Sequence, residues 1–557
     1  MLSNKQIRRI LSLYAELLRV HQMEEKLADT LSSAAYYIRR VKQTIMALDR
    51  REITKLFKSP IAKLIIELQT KSTIESLDEL IQLTPAGLFE MMRIKGLGGK
   101  KIAIIWRKAK IDTLEELLKA CKKNKLSDIR GFGPKTEKSI ITAIESYKEG
   151  QTHFHYASVA GTAQRIVDRL QNDMNSNLIS LCGSIRRCAL TVPGIDIVAA
   201  LSQKELSAAR LKRFMVVKSS SKEETKGITL DEIPITIYHS TKANFYKDQF
   251  VLTGTDVHVN KVLKKIKTQD NFSSEENIYK KAGMPFIVPE MREDVAEWEF
   301  KKNATELIEL DDIKGVVHNH TSYSDGVDTL HDFVMACQQK GFEYTVISDH
   351  SKNAYYAGGL KEEKVFRQLK EIDRLNQKLK PFRIFKSIEC DIKVNGELDY
   401  DDKILNNFDC VIVSIHQLLK MDEQKATSRL IKAIENPYTT IVGHMTGRLL
   451  LIRQGYPVNY RRVIDACAAN GVVIEVNANP YRLDMDWSQI PYAIKKGVMI
   501  SINPDAHSTK EIDNIQWGVA AARKGGLTKD MTWNAQTLNK ISKYLKMRQP
   551  FLTNELA

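Results

Sequence analysis

The sequence predicts a multidomain protein with a helical N-terminal region, an α+β middle and a C-terminal (β/α) barrel of the TIM type. The chain has 557 residues, more than one compact domain usually holds. Its first 90 residues or so are rich in helical patterns and poor in glycine, whereas residues 151–300 contain short strand-like apolar runs. From about residue 310, strand-like runs alternate with helical ones, which is typical of a parallel sheet or barrel.

Positive charge is concentrated in one part of the chain. The formal net charge is +16. Residues 93–150 alone contain fifteen Lys and Arg against seven Asp and Glu. Such a concentration is typical of a surface that binds a polyanion such as nucleic acid. The alternative is that Lys-rich surfaces serve only to keep the protein in solution.

Neither the cysteines nor the N-terminal segment indicates secretion or a membrane. The seven cysteines are scattered without a CxxC pair, which indicates reduced thiols in a cytosolic protein. The segment MLSNKQIRRILSLYAELLRVHQ has charges every few residues, so it predicts an amphipathic helix and neither a signal peptide nor a membrane span. We therefore expect a cytoplasmic, nucleoid-associated monomer with no membrane partner.

An internal near-repeat lies in the basic region. The stretches RIKGLGGKKIAIIWRK (93–108) and DIRGFGPKTEKSIITAI (128–144) share a Gly-x-Gly turn followed by lysines and a helical run. Backbone amides at such a turn approach a phosphate closely, and the lysines add charge. The pattern predicts tandem helix-hairpin-helix elements that bind DNA backbone without reading sequence. The candidate DNA-binding residues are Gly96, Gly98, Lys100, Lys101, Gly131, Gly133, Lys135 and Lys138.

Histidines and carboxylates follow the predicted strands of the C-terminal region. Six of the seven histidines beyond residue 300 lie at or just after a strand-like run. Alternate residues of a strand point the same way, so His318 and His320 can face one ion, as can Asp505 and His507. The carboxyl ends of barrel strands meet at one mouth. The candidate metal ligands are His318, His320, Asp325, His350, Glu389, His416, His444, Asp505 and His507.

This set of donors indicates both the kind of metal and its chemistry. Mixed imidazole and carboxylate ligands suit Zn²⁺, Mn²⁺ or Fe²⁺ better than Ca²⁺. Nine donors exceed what one ion needs, so two or three ions are expected. Closely spaced ions activate water and stabilise the leaving oxygen in an in-line displacement at phosphorus. Taken singly, each histidine is more simply explained as a hydrogen-bonded core residue, but six at successive strand ends are not.

These motifs resemble a known family. GVVHNHTSYSDG, ISDHS, IEC, VSIH, VGHMTGRLL and INPDAHS are similar to the PHP (polymerase and histidinol phosphatase) phosphoesterase domain over about 240 residues. The resemblance implies a distorted TIM barrel with Mn²⁺ or Zn²⁺ in a cluster of two or three ions. It assigns catalysis, with a metal-activated hydroxide, to Asp505, His507, Glu389 and Asp325. Arg448 and Arg482 are candidates for phosphate contact or for structural salt bridges.

The layout before residue 300 resembles a bacterial family X DNA polymerase with a nucleotidyltransferase-like palm and thumb. GSIRRC (183–188) is similar to the family's GSxRRG turn, which implies triphosphate binding by Gly183, Ser184 and Arg187, with Arg186 beside them. In the family an Asp-x-Asp strand follows the turn, and a third Asp stands on a later strand. Asp196 matches the second of these aspartates.

The two other carboxylate positions of the palm hold different residues. Gly194 stands at the first position and Thr236 at the third. Two Mg²⁺ ions need several carboxylates, so we expect neither palm Mg²⁺ nor efficient polymerisation, while dNTP binding at the turn stays open. Glu232 lies roughly 13 Å from Thr236 along an extended strand and Asp231 has the wrong parity, so neither replaces the missing ligands.

The N-terminal region departs from the family as well. The stretch EITKLFKSPIAKLIIEL (52–68) lacks the glycines of a further hairpin, and its lysines do not single out a Schiff-base residue. A helical DNA-end binding domain is therefore favoured over a lyase. The expected domains are a helical DNA-end domain (1–90), tandem hairpins (91–150), a palm and thumb (151–300) and a PHP domain (310–557).

Four functions are compatible with these features. The favoured one is a DNA-repair nuclease acting on gapped, nicked or abasic DNA, as a 3′–5′ exonuclease, an abasic-site endonuclease or a 3′-phosphatase. The second is an active gap-filling polymerase whose PHP domain proofreads. The third is a small-molecule phosphatase, for example for histidinol phosphate. The fourth is a non-catalytic DNA-end binder, against which the complete set of nine ligands counts.

Overall fold

The computed structural model describes residues 2–38, 41, 43–71, 73–94, 96–206, 211–266, 271–300 and 304–548. It divides into two compact units, Met1–Gln151 and Thr152–Ala557. The expected end of the PHP domain at residue 557 lies outside the described residues. No described helix is long and apolar enough to cross a membrane.

The first unit is helical, as predicted. Its first helix begins after Ser3, which forms a capping box with Gln6, and buries one apolar stripe that includes Ile7, Leu11 and Leu18. Helices α7 and α9 follow the two Gly-x-Gly turns. The helices are α1 (Asn4–His21), α2 (Glu25–Ile38), α3 (Arg50–Leu56), α4 (Ile61–Lys71), α5 (Glu75–Leu83), α6 (Ala86–Met92), α7 (Gly99–Ile104), α8 (Leu114–Lys122) and α9 (Pro134–Thr152).

The second unit begins with a palm-like α+β region. Five strands form a sheet in the order β2-β4-β7-β6-β5, in which β4 and β7 are parallel, and two short strands, β1 and β3, pair separately. Helix α10 packs on the sheet through Val159, Ala163 and Ile166. The elements are β1 (Phe154–His155), α10 (Tyr156–Met174), β2 (Ile179–Leu181), α11 (Gly183–Arg186), β3 (Thr191–Val192), β4 (Ile195–Ala199), β5 (Met215–Ser220), β6 (Glu224–Thr229), β7 (Pro234–His239), α12 (Phe245–Thr253), α13 (Asp256–Leu263) and α14 (Glu275–Lys281).

A parallel barrel of seven strands follows. Its strands pair in sequence order, and a bridge between Asn319 and Ala506 joins the end of the first strand to the segment after the last. Nearly every strand residue is buried, as expected when helices cover the outside. The strands are β8 (Gly315–Asn319), β9 (Tyr344–Ile347), β10 (Arg383–Asp391), β11 (Cys410–Ser414), β12 (Ile441–Val442), β13 (Val473–Asn477) and β14 (Ile500–Asn503).

Helices connect and flank these strands. The longest, α16, buries Val365, Leu369 and Ile372 on one face and leaves its charged face in solvent. The helices are α15 (Leu330–Gln339), α16 (Glu362–Lys378), α17 (Asp402–Leu405), α18 (Glu423–Ile434), α19 (Tyr460–Asn470), α20 (Ile490–Lys495), α21 (Ile515–Lys524) and α22 (Leu538–Arg548). This arrangement opens the carboxyl ends of all seven strands onto one mouth.

Candidate metal centre

The barrel mouth brings together all nine candidate ligands. They form four overlapping groups of three or four residues, and within each group the ligand atoms lie within 4.8 Å of one another. The groups share members, so the centre is continuous. The groups are His320, Asp325, His350 and His507; His318, Glu389 and His444; His318, His320 and Asp505; and His350, Glu389 and His416.

Glu389 lies at the middle of the cluster. Five imidazole nitrogens surround its two carboxylate oxygens, at distances from 2.8 Å for His350 to 3.7 Å for His320. Burial alone would raise the pKa of this carboxyl, but electrostatic interaction with the nearby imidazoles of His416 and His318 holds the pKa well below its usual range. Glu389 is therefore an ionised acceptor in reach of several histidines at once, which suits a carboxylate that bridges metal ions.

The donor atoms of this cluster fit divalent cations. Both oxygens of Glu389, Nε2 of His318 and Nδ1 of His350 are buried and lack a hydrogen-bond partner in suitable geometry. Buried polar atoms are otherwise almost always paired. Burial also lowers the pKa of His320 to about 3, which keeps that imidazole neutral, the form in which histidine binds metal. Converging unpaired lone pairs are the arrangement that a cation satisfies.

The local reason for this convergence differs from the sequence prediction. We expected His318 and His320, and likewise Asp505 and His507, to point the same way as alternate residues of a regular strand. That explanation was wrong, because the backbone is not regular strand at His318 or Asp505. The backbone at His318 lies in the left-handed region with φ of 62°, at an irregularity in the pairing of β8. Asp505 also has a positive φ, 51°, and lies beyond the end of β14. Left-handed backbone at non-glycine residues is strained and clusters at functional sites.

A second set of buried carboxylates orients the histidines. Glu475 of β13 accepts hydrogen bonds from His318 Nδ1 at 2.6 Å, from the His444 amide at 2.9 Å and from Asn503 at 2.7 Å. Asp391 of β10 accepts from His416 Nδ1. Such partners fix the tautomer and direction of metal-binding histidines. Sequence reasoning missed both, although Asp391 lies two positions after the candidate ligand Glu389 on the same strand.

A third buried carboxylate shapes the loop that carries Asp325. Asp349 accepts from the amide and hydroxyl of Thr321, at 2.8 and 2.7 Å, and from the hydroxyl of Ser324. Asp325 itself is exposed, with Oδ1 3.5 Å from His507 Nε2. The sequence signal for Asp349 was present in ISDHS, immediately before His350.

The two candidate arginines have different positions. Arg448 donates to the carbonyl oxygens of Arg482, at 3.0 Å, and Leu483, and it pairs with Asp486 at 3.2 Å. Its guanidinium therefore links the loop after β12 to the loop after β13. Arg482 instead reaches the cluster, with Nε 3.5 Å from Asp505 Oδ2 and the side chain partly exposed. Of the two arginines, Arg482 is the one that lies beside the cluster.

The palm shows why its carboxylate row is incomplete. Asp196 on β4 pairs directly with Thr236 on β7, so Thr236 occupies the neighbouring position on the same face. Next in the row, Thr236 pairs with Lys226 on β6. At Gly194 a Cβ atom would lie 2.4 Å from the carbonyl oxygen of Pro234, so the backbone leaves no room for a side chain there.

The predicted triphosphate turn is intact in shape. Gly183 has φ of 64°, and a Cβ there would lie 2.5 Å from a carboxylate oxygen of Asp196, so only glycine fits. Burial raises the pKa of Asp196 despite the opposing charge of Arg187. The hydroxyl of Ser184 is buried without a partner.

The arginines of this turn are paired within the protein. Arg187 donates from Nη1 to the Thr253 carbonyl at 2.6 Å and pairs from Nε with Glu293 at 3.1 Å. Arg186 makes a two-point contact with Glu275, at 2.9 and 2.5 Å. Asp231 and Glu232, the substitute carboxylates considered above, lie in the turn before β7 and not on the strand that carries Thr236.

The two hairpins share a backbone and differ in their surroundings. Gly96 and Gly131 both have left-handed φ, 90° and 99°. In the first hairpin the amide N–H of Gly99 donates to Glu16 Oε2 at 2.6 Å. The second hairpin has Pro134 at the corresponding position, and proline has no backbone N–H to donate.

The hairpin lysines differ in the same way. Lys100 pairs with Glu25, and Lys101 donates to the carbonyl of Gly96 at 3.1 Å. Lys135 and Lys138 are exposed and form no salt bridge with any residue that the structure describes. The second hairpin therefore presents its charge more openly.

Replacing Gly99 by alanine should destabilise the N-terminal unit by about 1–3 kcal/mol through overpacking. A Cβ at Gly99 would lie 2.6 Å from the carbonyl oxygen of Glu16 and 2.8 Å from Arg19 Cβ. Gly133→Ala is the matched control, since a Cβ at Gly133 meets nothing within 4 Å. Amide hydrogen exchange in α1 and α7 measures the effect. Equal exchange in the two variants would show that the close packing at Gly99 is unimportant.

Comparisons with known proteins agree with this architecture. Residues 88–146 match the family model of a SAM-like helix-hairpin-helix tandem, and residues 317–479 match that of the PHP domain. The DNA polymerase/3′–5′ exonuclease PolX of Bacillus subtilis (strain 168) is 33% identical over 497 residues, which cover 85% of this chain and 87% of the relative. The chain belongs to the bacterial family X DNA polymerases that carry a PHP domain.

Membership in this family makes the chain a DNA polymerase/exonuclease-type enzyme, and with the hairpin tandem it supports DNA binding. PHP domains are metal-dependent, and the His, Glu and Asp groups at the mouth could bind metal. A shorter stretch of the chain also matches other proteins. Probable phosphatases of Thermoanaerobacter sp. (strain X514) and Clostridium acetobutylicum are each 26% identical over 42% of this chain and 94% of the relative.

Proposed function

We propose that this family X protein is a DNA-repair nuclease whose barrel hydrolyses phosphodiesters at a 3′ end with Mn²⁺ or Zn²⁺, and whose palm no longer extends primers. The observation that carries the proposal is the contrast between the two sites. Nine potential ligands converge around Glu389 in the barrel, whereas the palm retains one carboxylate of three, Asp196.

Bound divalent ions would supply Lewis-acid activation of water and neutralise charge on the phosphodiester. The residues of the four ligand groups would hold them, with Glu389 shared between groups. Glu475 and Asp391 keep His318 and His416 in the orientation that points their Nε2 atoms at Glu389. Arg482 lies beside Asp505, where its guanidinium would bind a phosphate oxygen and orient the scissile bond.

Loss of polymerisation is supported by the palm geometry. Without carboxylates at positions 194 and 236, Asp196 alone is a poor platform for two Mg²⁺ ions. The pairing of Arg187 with Glu293 and with the Thr253 carbonyl also occupies the guanidinium that a triphosphate would need. We propose that the turn now serves the structure of the palm.

A primer assay tests the proposal. A 5′-labelled gapped primer–template is incubated with Mn²⁺ or Zn²⁺, with and without dNTPs, beside an Asp505→Ala/His507→Ala double variant. We expect shortening that needs the intact cluster, and no extension. Duplexes with an abasic site or a 3′-phosphate show which of the related activities dominates. Extension of the primer would overturn the interpretation of the palm, and shortening by the double variant that of the barrel.

A second candidate is hydrolysis of a small phosphomonoester. It is favoured by the likeness of the barrel to probable phosphatases over 94% of their length. Histidinol phosphate and a 3′-phosphorylated primer are compared at equal concentration. Faster turnover of the small ester would favour this candidate, whereas we expect the DNA substrate to be preferred because the hairpins bind its backbone.

DNA binding should depend more on the second hairpin than on the first. We expect Lys135→Ala/Lys138→Ala to weaken binding and to reduce the slope of log K against log salt by about 1–2. Lys100→Ala/Lys101→Ala is the matched control and should change less, because both amines already have partners within the protein. Fluorescence anisotropy with gapped DNA over a range of salt concentrations measures this. A larger loss in the control would reverse the assignment.

A further inference from the structure

One palm side chain contacts two loops at the mouth of the barrel. His155, the last residue of β1, donates from Nε2 to the carbonyl oxygen of Leu450, 3.2 Å away. Its ring packs edge-on against Tyr481, with 4.7 Å between the ring centroids. The amide of Leu450 in turn donates to the Tyr481 carbonyl at 2.7 Å. His155 thus holds the loops after β12 and β13 at the point where they bind each other.

This junction adjoins the arginine of the metal centre. Tyr481 is followed directly by Arg482, whose Nε lies 3.5 Å from Asp505. The carbonyl of Arg482 accepts a hydrogen bond at 3.0 Å from Arg448, which lies on the same loop as Leu450. The peptide groups on both sides of Arg482 are therefore fixed by that loop. Any shift of the junction moves the guanidinium relative to Asp505.

Both loops need support from outside. Leu451 and Leu483 have φ of 60° and 42°, in the left-handed region. Such backbone at a non-glycine residue persists only where the surroundings over-determine it. His155 is itself firmly held, because it pairs with Thr191 in the β1–β3 ladder and precedes the first turn of α10.

Other contacts between palm and barrel are made elsewhere. Tyr156 packs edge-on against Trp517, and Lys524 donates to the Arg187 carbonyl at 2.7 Å. Both barrel residues lie on α21, the helix whose Gly518 packs against Ile502 of β14. Those contacts join the two domains, whereas the contact of His155 reaches the loops that carry Arg482.

We propose that His155 is a positioning residue of the metal centre, through which the palm holds Arg482 against Asp505. The inference rests on the proposed nuclease function. It also gives the palm a structural role, because a palm with one of its three carboxylates would still support the loops at the mouth of the barrel.

The test compares His155→Ala with His153→Ala in the full chain, in the primer-shortening assay with Mn²⁺. We expect kcat to fall about 10- to 100-fold in His155→Ala, because a displacement near 1 Å at a positioning group has such an effect. His155→Gln, which retains a donor, should recover part of the loss. In an Arg482→Ala background the His155→Ala change should have almost no further effect, since the two act as one unit.

Hydrogen exchange of residues 446–453 and 478–486 gives a readout that does not need activity. We expect faster exchange of these residues in His155→Ala and an unchanged exchange rate in His153→Ala. If the wild-type protein shortens primers and His155→Ala does so equally well, the inference is overturned. If the wild-type protein is inactive, the proposed function fails, and exchange alone decides: unchanged protection overturns the role of His155, while faster exchange supports it. Additive effects of the His155 and Arg482 substitutions would also overturn it.

Discussion

Glu389→Gln should abolish primer shortening, with a loss of at least about 10³-fold, or about 4 kcal/mol of transition-state stabilisation. Its carboxylate is within 3.7 Å of imidazoles from His318, His320, His350, His416 and His444. An amide keeps the shape but removes the charge, and it turns one acceptor into a donor that repels cations. Among the described residues, neither of the other candidate carboxylates, Asp325 and Asp505, lies within 4 Å of more than three imidazoles.

Two measurements check this expectation. Metal content after dialysis against Mn²⁺ or Zn²⁺ should fall by at least one ion per chain, and activity should fall with it. Glu363→Gln, an exposed carboxylate on α16, is the control and should leave both unchanged. Retained metal together with retained activity in Glu389→Gln would show that the cluster is not organised around this residue.

Gly194→Asp should fail to restore polymerisation and should destabilise the palm by about 1–3 kcal/mol or more, as overpacking does. The family places an aspartate at this position, but a Cβ here would lie 2.4 Å from the Pro234 carbonyl oxygen and 3.1 Å from its carbonyl carbon. The backbone of Pro234 therefore occupies the space that a side chain at position 194 would need. An added carboxylate would also face that carbonyl oxygen, so repulsion accompanies the steric clash.

Thr236→Asp is the matched variant, because Thr236 is only partly buried and pairs with Asp196 on an open row. It should be tolerated better than Gly194→Asp in thermal unfolding. Neither variant, nor the two combined, should extend a gapped primer with Mg²⁺ and dNTPs. Extension by the combined variant would show that the palm still has the space and the phosphate-binding turn that polymerisation needs.

The convergence of the candidate ligands at the barrel mouth could be predicted from sequence because it depends on the topology of the barrel. Parallel strands in a barrel deliver their carboxyl ends to one place, so His416 and His444 meet although 28 positions separate them in the chain. The absence of carboxylates at positions 194 and 236 of the palm can be read directly from the sequence.

What could not be predicted depends on local backbone and on packing. The left-handed conformation of His318 lies at an irregularity in the pairing of β8 with β9, and that of Asp505 lies beyond the end of β14, and no period-two pattern encodes either. Glu475 and Asp391 belong to long apolar strand runs, where a single carboxylate does not show its partner. Pro234 packs closely against Gly194, and the amide of Gly99 donates to Glu16. The residues of each pair are distant in sequence, so only the folded structure shows that they are in contact.

The buried lysine of α21 bears on whether the barrel can be separated from the palm. Lys524 is 1% exposed, and its ammonium is bonded to the carbonyl oxygens of Arg187 and Glu290 and to the carboxylate of Glu293, all upstream of the barrel. A fragment beginning at residue 310 would lose all three acceptors, and hydrogen bonds to a charged group each contribute about 1.5–3 kcal/mol. Palm and barrel should therefore unfold in a single thermal transition, and a deletion that removes the palm should destabilise the barrel.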